Sequence, residues 1–334
     1  MPAVKANAYG HGIVEVSKHL ESIKTDYLAV AFISEGVTLR KNGIKTPILV
    51  LSAIDDIENA IRYNLTLTVY SEKLIPLIEK TCKLMKKRIK IHLDVDTGMG
   101  RIGLQPDRVL PAVKKILLSE HLIFEGIYTH FASSEDLKDP YTERQLLLFN
   151  RILQQLKYLR LTPPLIHTAN SGAILNYPLS FFNMVRPGIM LYGYPPCKTE
   201  LKLDPVLSLH SCIFFLKKIN LRTGIGYGHT YTAKPGELIA TIPIGYGDGY
   251  NRLLSGKGKV IIKGKFAPIA GRISMDQITV NVTKIPNVKE KDPVTLIGTE
   301  GKIKITAEDI AKSIGTIPYE VLCNLNSRIT RIYE

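Results

Sequence analysis

The sequence predicts an α/β chain: a (β/α)8 barrel of the TIM type over residues 1–204, followed by a mostly β domain over residues 205–334. Three observations carry this. Eight short apolar runs recur through the first 190 residues, helical periodicity fills the gaps between them, and beyond Pro205 short β-rich runs alternate with turn residues. A length of 334 residues also suits about two domains.

The eight strand candidates are residues 3–6, 27–32, 47–51, 66–70, 89–96, 122–130, 165–169 and 184–191. Between them, Ile13, Val16, Leu20 and Ile23 form one helical stripe, and Phe149, Ile152, Leu153, Leu156 and Leu159 another. Right-handed crossovers of this kind place the helices outside a parallel barrel. In residues 89–96, Ile91, Leu93 and Val95 alternate with His92, Asp94 and Asp96, so the polar set is expected to point into the barrel. The run Tyr192-Gly193-Tyr194-Pro195-Pro196 and the polar stretch to Asp204 read as a linker. In the second domain, strands are expected at residues 211–216, 238–244, 259–262, 277–282 and 293–297, with one helix at 307–313.

The composition is that of a soluble globular protein, 45% hydrophobic and 22% charged. No apolar run reaches the roughly 18 residues a membrane span needs. Met1-Pro2-Ala3-Val4-Lys5 is no secretory signal, so a cytoplasmic location is expected. The four cysteines lack metal-ligand spacing and read as reduced thiols, with no metal site. The net charge of +14 is spread along the chain with acids interleaved; the one dense patch, Lys83 to Lys90, sits at the end of an expected helix. Nucleic acid is therefore not an expected partner.

Chemistry concentrates in a few segments. Lys5 ends an apolar run and meets small residues and glycines at once, in Val4-Lys5-Ala6-Asn7-Ala8-Tyr9-Gly10-His11-Gly12. A free lysine amine is a nucleophile toward an aldehyde and can hold one as a Schiff base. After the seventh strand candidate comes His167-Thr168-Ala169-Asn170-Ser171-Gly172-Ala173, and within the eighth Arg186-Pro187-Gly188-Ile189. The Ser171 hydroxyl and the Gly188 and Ile189 N–H groups suit a phosphate, which barrels of this type often hold at these loops. Arg186 supplies a permanent cation, and His130 ends the sixth strand candidate, where a barrel presents working groups. Tyr246, in Tyr246-Gly247-Asp248-Gly249-Tyr250, is a phenol with glycines close by. Read alone, each of these residues is more readily an ordinary turn, core or surface residue.

Together the segments resemble the alanine racemases, enzymes dependent on pyridoxal 5'-phosphate (PLP). The resemblance rests on six separated motifs in the family's order and runs from Val4 to Tyr333. It implies that Lys5 bears the cofactor and that Tyr9, Ser171, Gly188, Ile189 and Tyr319 hold its phosphate. It implies that Arg186 faces the pyridine nitrogen, keeping the ring a weaker electron sink than an aspartate would. His130 would link Arg186 to Tyr246. Lys5 and Tyr246 would be the two acid/base groups on opposite faces of the substrate, as racemisation requires. Arg101, in Asp96-Thr97-Gly98-Met99-Gly100-Arg101-Ile102-Gly103, would approach the substrate carboxylate, which the backbone N–H of Met275 in Gly271-Arg272-Ile273-Ser274-Met275-Asp276-Gln277 would also hold. Many relatives carry a carbamylated lysine at the Asp94 position; Asp94 is expected to bring negative charge without modification. The family further implies a homodimer in which Tyr246 serves the partner's site, with D-alanine supplied to peptidoglycan. In the family a strand and a helix precede the lysine motif; here four residues do, so open apolar surface is expected beside the first strand. A broader-specificity amino-acid racemase and a non-catalytic PLP-binding homeostasis protein remain alternatives, the latter lacking a β domain. A PLP decarboxylase shares barrel and β domain, but no motif favours it.

Overall fold

The computed structural model describes the whole chain, Met1–Glu334, which divides into two compact units. One comprises Met1–Ala8 and Gly12–Asp204, the other Tyr9–His11 and Pro205–Glu334.

The first unit is built on six parallel strands in sequential order: β1 (Leu28–Val30), β2 (Ile48–Val50), β3 (Thr66–Val69), β4 (Ile89–Asp94), β5 (Leu122–Tyr128) and β6 (Leu165–His167). Every residue of β1, β2 and β3 is buried. Unbroken Leu, Ile, Val and Thr are what a parallel strand needs when both faces are covered. Two further positions join as single parallel bridges, Ala3 to Ala29 and Met184 to His167. The Ala3 N–H donates to Pro187 O and the Met1 amine to Val185 O, both at 2.9 Å, so the first and last positions meet and the eight close into a ring.

Of residues 3–6 and 184–191, only Ala3 and Met184 form ladder bridges, in place of the strands expected. After Val4 the backbone turns into α1 (Lys5–Tyr9). After Met184 the ladder meets Pro187, which has no N–H to give, and the chain enters a 3-10 turn at Ile189–Tyr192. The open apolar surface expected beside the first strand does not lie on its own residues: Met1 and Ala3 are 7% exposed and Val4 0%.

The helices of this unit are α2 (Ile13–Ser22), α3 (Ile33–Lys41), α4 (Ile57–Arg62), α5 (Leu74–Met85), α6 (Pro106–Leu117), α7 (Tyr141–Tyr158) and α8 (Ser171–Asn176). The expected stripes bury Leu20 in α2 and Phe149, Ile152 and Leu156 in α7. Ile23 and Leu159 lie just past their helix ends and are exposed, because the stripe's period stops with the helix. The basic patch begins in the last turn of α5 with Lys83, and Lys86 caps that helix in the left-handed region at φ 53°. No helix is long and apolar enough to cross a membrane.

The second unit is antiparallel. Strands β8 (Phe215–Lys218), β11 (Leu238–Ile242) and β14 (Ile278–Asn281) form one sheet in the order β14-β11-β8. A second runs β13 (Lys265–Pro268), β12 (Lys259–Ile262), β15 (Pro293–Glu300) and β16 (Ile303–Ile305), with β7 (Leu209–Cys212) also pairing β15. A hairpin of β9 (Thr223–Ile225) and β10 (Tyr231–Ala233) completes the set. The expected run 211–216 is split between β7 and β8, and β9, β10, β13 and β16 lie outside the expected runs. Helix α9 (Ala307–Ile314) starts with a capping box, Thr306 accepting from the Asp309 N–H and Asp309 from the Thr306 N–H. Helix α10 (Pro318–Cys323) follows.

Candidate active site

Lys5 begins α1, a single helical turn of the disfavoured hand. Ala6, Asn7, Ala8 and Tyr9 have φ between 51° and 55°. Four consecutive L-residues other than glycine in this region cost about 1–2 kcal/mol each, so the surroundings must hold them. They do: the Ala8 N–H returns to Val4 O at 2.8 Å, the Ala6 N–H donates to Glu35 Oε1 at 2.7 Å, and the Ile13 N–H donates to Asn7 Oδ1 at 2.9 Å.

The barrel interior holds a column of polar groups. Arg186, 5% exposed, donates from Nη1 to His167 Nδ1 (2.7 Å) and His167 O (2.8 Å). From Nη2 it reaches Thr129 O (2.8 Å), Thr168 O (2.9 Å) and His130 Nδ1 (3.2 Å). Its guanidinium also lies 5.2 Å from the Tyr128 ring centroid. Burial lowers the Arg186 pKa to about 10, partly offset by Tyr128 and Asp94, so the cation persists at neutral pH. Burial likewise pushes His130 and His167 well below the usual histidine range, reinforced by the charge of Arg186. Both rings are therefore neutral, which settles their tautomers. His167 accepts at Nδ1, so its proton sits on Nε2 and is donated to His92 Nδ1 at 2.8 Å. His92 then carries its proton on Nε2, facing Glu125 Oε2 at 3.3 Å. Burial alone would raise Glu125, but His92, Lys90 and Tyr27 hold its carboxyl down at about 2. Gly126 makes room for this column, since a Cβ there would stand 2.6 Å from His92 Nδ1.

The expected inward face of β4 is present, with His92 0% and Asp94 5% exposed. The negative charge expected of Asp94 is opposed by its burial. Burial raises its carboxyl to about 7 against the opposing pull of Arg186 and Arg101, so near neutral pH both forms coexist. Asp96 serves the loop: its Oδ1 accepts from the Gly98 and Gly100 N–H groups at 2.9 and 3.0 Å, shaping the approach to an exposed Arg101.

Ser171 and Gly188 come together as expected, the Gly188 N–H donating to Ser171 Oγ at 2.8 Å, with Ile189 buried next to it. Asn170 braces this loop, accepting from the Ala173 N–H and the Ser134 hydroxyl.

In the second unit, Tyr246 starts the turn Tyr246–Asp248 that follows β11. Its N–H donates to Ser274 O at 3.1 Å and the Gly247 N–H to Met275 O at 2.8 Å, so the two expected segments are stitched side by side. Gly245 permits the approach, since a Cβ there would lie 2.2 Å from Met275 O. Arg328 bridges the pair, with Nε 3.3 Å from Asp248 and Nη2 2.7 Å from Asp276. Tyr246 is 42% and Met275 53% exposed. Tyr9 and Tyr319 also meet, ring centroids 6.0 Å apart, and burial together with Tyr319 pushes the Tyr9 phenol above its usual range. Sequence reasoning singled out Arg186 but gave no role to His92, Glu125 or His167. The signal was available in the inward register of β4 and in a histidine two residues before Ala169.

Known proteins resemble this chain over its whole length. The family description "Alanine racemase, N-terminal domain" fits residues 1–196 and "Alanine racemase, C-terminal domain" fits residues 206–333. The alanine racemase of Halothermothrix orenii is 42% identical over 339 residues, spanning 100% of this chain and 89% of that one. A solved alanine racemase of Clostridium difficile superposes with a TM-score of 0.93 at 41% identity, over 100% of this chain and 88% of the other. A Bacillus anthracis alanine racemase crystallised with L-Ala-P gives a TM-score of 0.92 at 37% identity, over 99% and 87%.

Proposed function

The chain belongs to the alanine racemase family of isomerases, and from that premise we propose that it interconverts L- and D-alanine with PLP, using Lys5 and Tyr246 as opposed acid/base groups. The observation that carries the reading is the hold on Arg186. Its five contacts occupy the four terminal N–H groups, so the Nε–H is the donor left for a pyridine nitrogen. The Ser171 hydroxyl, oriented by the Gly188 N–H it accepts, and the Ile189 N–H suit the cofactor phosphate, with Tyr9 and Tyr319 as further phosphate contacts. Lys5 suits the aldehyde.

Bound there, the cofactor supplies an aldehyde for the substrate amine and a conjugated ring that spreads the charge left when the α-proton departs. This chain's residues do the rest. Lys5 Nζ takes or returns the α-proton on one face of the substrate and Tyr246 Oη does so on the other. Arg186 donates to the ring without surrendering its proton, which limits charge withdrawal and disfavours transamination. His130 relays between Arg186 and Tyr246. Arg101 and the Met275 N–H hold the substrate carboxylate.

The exposure of Tyr246 and Met275 supports a homodimer in which a second copy covers them and shares its site. The relative from Clostridium difficile solved with cycloserine and the one with L-Ala-P support an alanine-sized substrate. The division into a PLP-binding barrel at residues 1–204 and a β domain at 205–334 fits this reading, as do a cytoplasmic location and supply of D-alanine to peptidoglycan. The second family domain, over residues 206–333, speaks against a barrel-only homeostasis protein. Incubation of the protein and PLP with L-alanine in deuterated water tests the reaction. Optical rotation is expected to fall to zero while deuterium enters Cα; retention of rotation and of the α-proton would refute it.

A further inference from the structure

We propose that Glu35 is a positioning residue for Lys5: its carboxylate fixes the backbone turn that carries the lysine. This rests on the reading of Lys5 as the cofactor lysine.

The residues flanking Lys5 are fixed by two different devices. Before it, the Val4 N–H donates to Ala29 O at 2.8 Å, which ties the chain to β1 as in any strand. After it, the regular ladder stops. The left-handed turn closes through the Ala8 N–H on Val4 O, and the Ala6 N–H points instead to a side chain. That side chain is Glu35, in the first turn of α3. Its Oε1 takes the Ala6 N–H at 2.7 Å, while Oε2 takes the Ala31 N–H at 2.7 Å and the Phe32 N–H at 3.1 Å.

The two bonds at Oε2 are ordinary capping of α3. The bond at Oε1 is not, because Ala6 lies 29 residues away and caps nothing. A carboxylate can serve both directions at once since each oxygen only accepts. An amide cannot, because one end would turn N–H toward N–H. The single side chain thus ties the turn bearing Lys5 to the end of β1, so the lysine is placed by the barrel wall and not by the unfavourable φ angles of the residues that follow it. Asn7 secures the far side, accepting the Ile13 N–H at its side chain and the Gly12 N–H at its carbonyl, both at 2.9 Å.

The test compares two ligands on the apoprotein. Pyridoxal 5'-phosphate has the aldehyde that bonds a lysine amine; pyridoxine 5'-phosphate has an alcohol there and shares every other contact. Glu35→Gln is expected to weaken pyridoxal phosphate about tenfold and pyridoxine phosphate less than about twofold, with kcat falling more than KM for alanine changes. Glu35→Asp should recover part of the loss. Equal weakening of both ligands, or of neither, overturns the proposal. If the unaltered apoprotein does not prefer the aldehyde, the reading of Lys5 itself falls, and the proposal with it. Should Glu35→Gln not fold, hydrogen exchange on the unaltered protein decides: the Ala6 amide is expected to be protected despite having no backbone acceptor, and free exchange there overturns the idea.

Discussion

The interior of the first unit and the Tyr246 turn of the second are organised in opposite ways. Arg186 is 5% exposed, and five acceptors fix its guanidinium. Tyr246 is 42% exposed and Met275 53%, and what holds their segments is backbone hydrogen bonding and the Arg328 bridge. The first region is preorganised around its side chains, so its dipoles need not reorient when charge develops. The second fixes a backbone and presents side chains outward. Substitutions in the two regions should therefore separate stability from rate.

The largest effect expected is on rate alone. Lys5→Ala should abolish racemisation and remove the absorbance band of lysine-bound cofactor; persistence of that band at native intensity would contradict the assignment. Tyr246→Phe should slow α-proton removal by about 10²–10⁴ from one enantiomer and far less from the other. Because the turn is held by backbone, its melting temperature should stay put; a marked drop would erase the contrast with Arg186. Arg186→Lys should do the reverse of a surface change. A lysine has three N–H groups for five acceptors, and stranded buried acceptors should cost roughly 3 kcal/mol, measured by denaturant unfolding.

A smaller effect depends on pH. The Asp94 carboxyl is raised from 3.8 to about 7 in the folded protein, so ionisation favours the unfolded chain within that window. The stability it contributes is full below the lower value and fades as pH climbs through the upper one. Asp94→Asn cannot ionise, so its stability relative to the native protein should improve from pH 4 to about 7 and then level off. A gap independent of pH would show that the buried carboxyl does not titrate there. Smallest of all, Ala6→Gly should raise stability by about 0.5–1 kcal/mol, the strain relieved less the entropy gained on unfolding. Destabilisation would mean that the turn is less strained than its angles imply.

What the sequence made legible follows from what each pattern encodes. Buried parallel strands such as Ile48–Val50 declare themselves because apolar runs must be continuous. The motif segments stand out because spacing and glycines survive in one dimension, and the segments of Ser171 and Gly188 do meet. The handedness at Ala6 was hidden, since of Ala-Asn-Ala only Asn7 tolerates positive φ readily and four consecutive residues of that hand need tertiary bonds to hold them. The column from Arg186 to Glu125 was equally hidden. It joins residues 19, 75 and 33 positions apart, a proximity that only ring closure creates. The upward pull on the Asp94 carboxyl was hidden as well, because burial, absent from a sequence, opposes two nearby cations.

The turn after Lys5 has one more consequence, a matter of chirality. With φ and ψ of 51° and 53° at Ala6 and 52° and 52° at Ala8, this backbone is the mirror image of an ordinary helical turn. The building block that would sit there without steric penalty is D-alanine, the enantiomer that the family's own chemistry produces. A semisynthetic chain with D-alanine at position 6 would relax the very segment that carries the lysine.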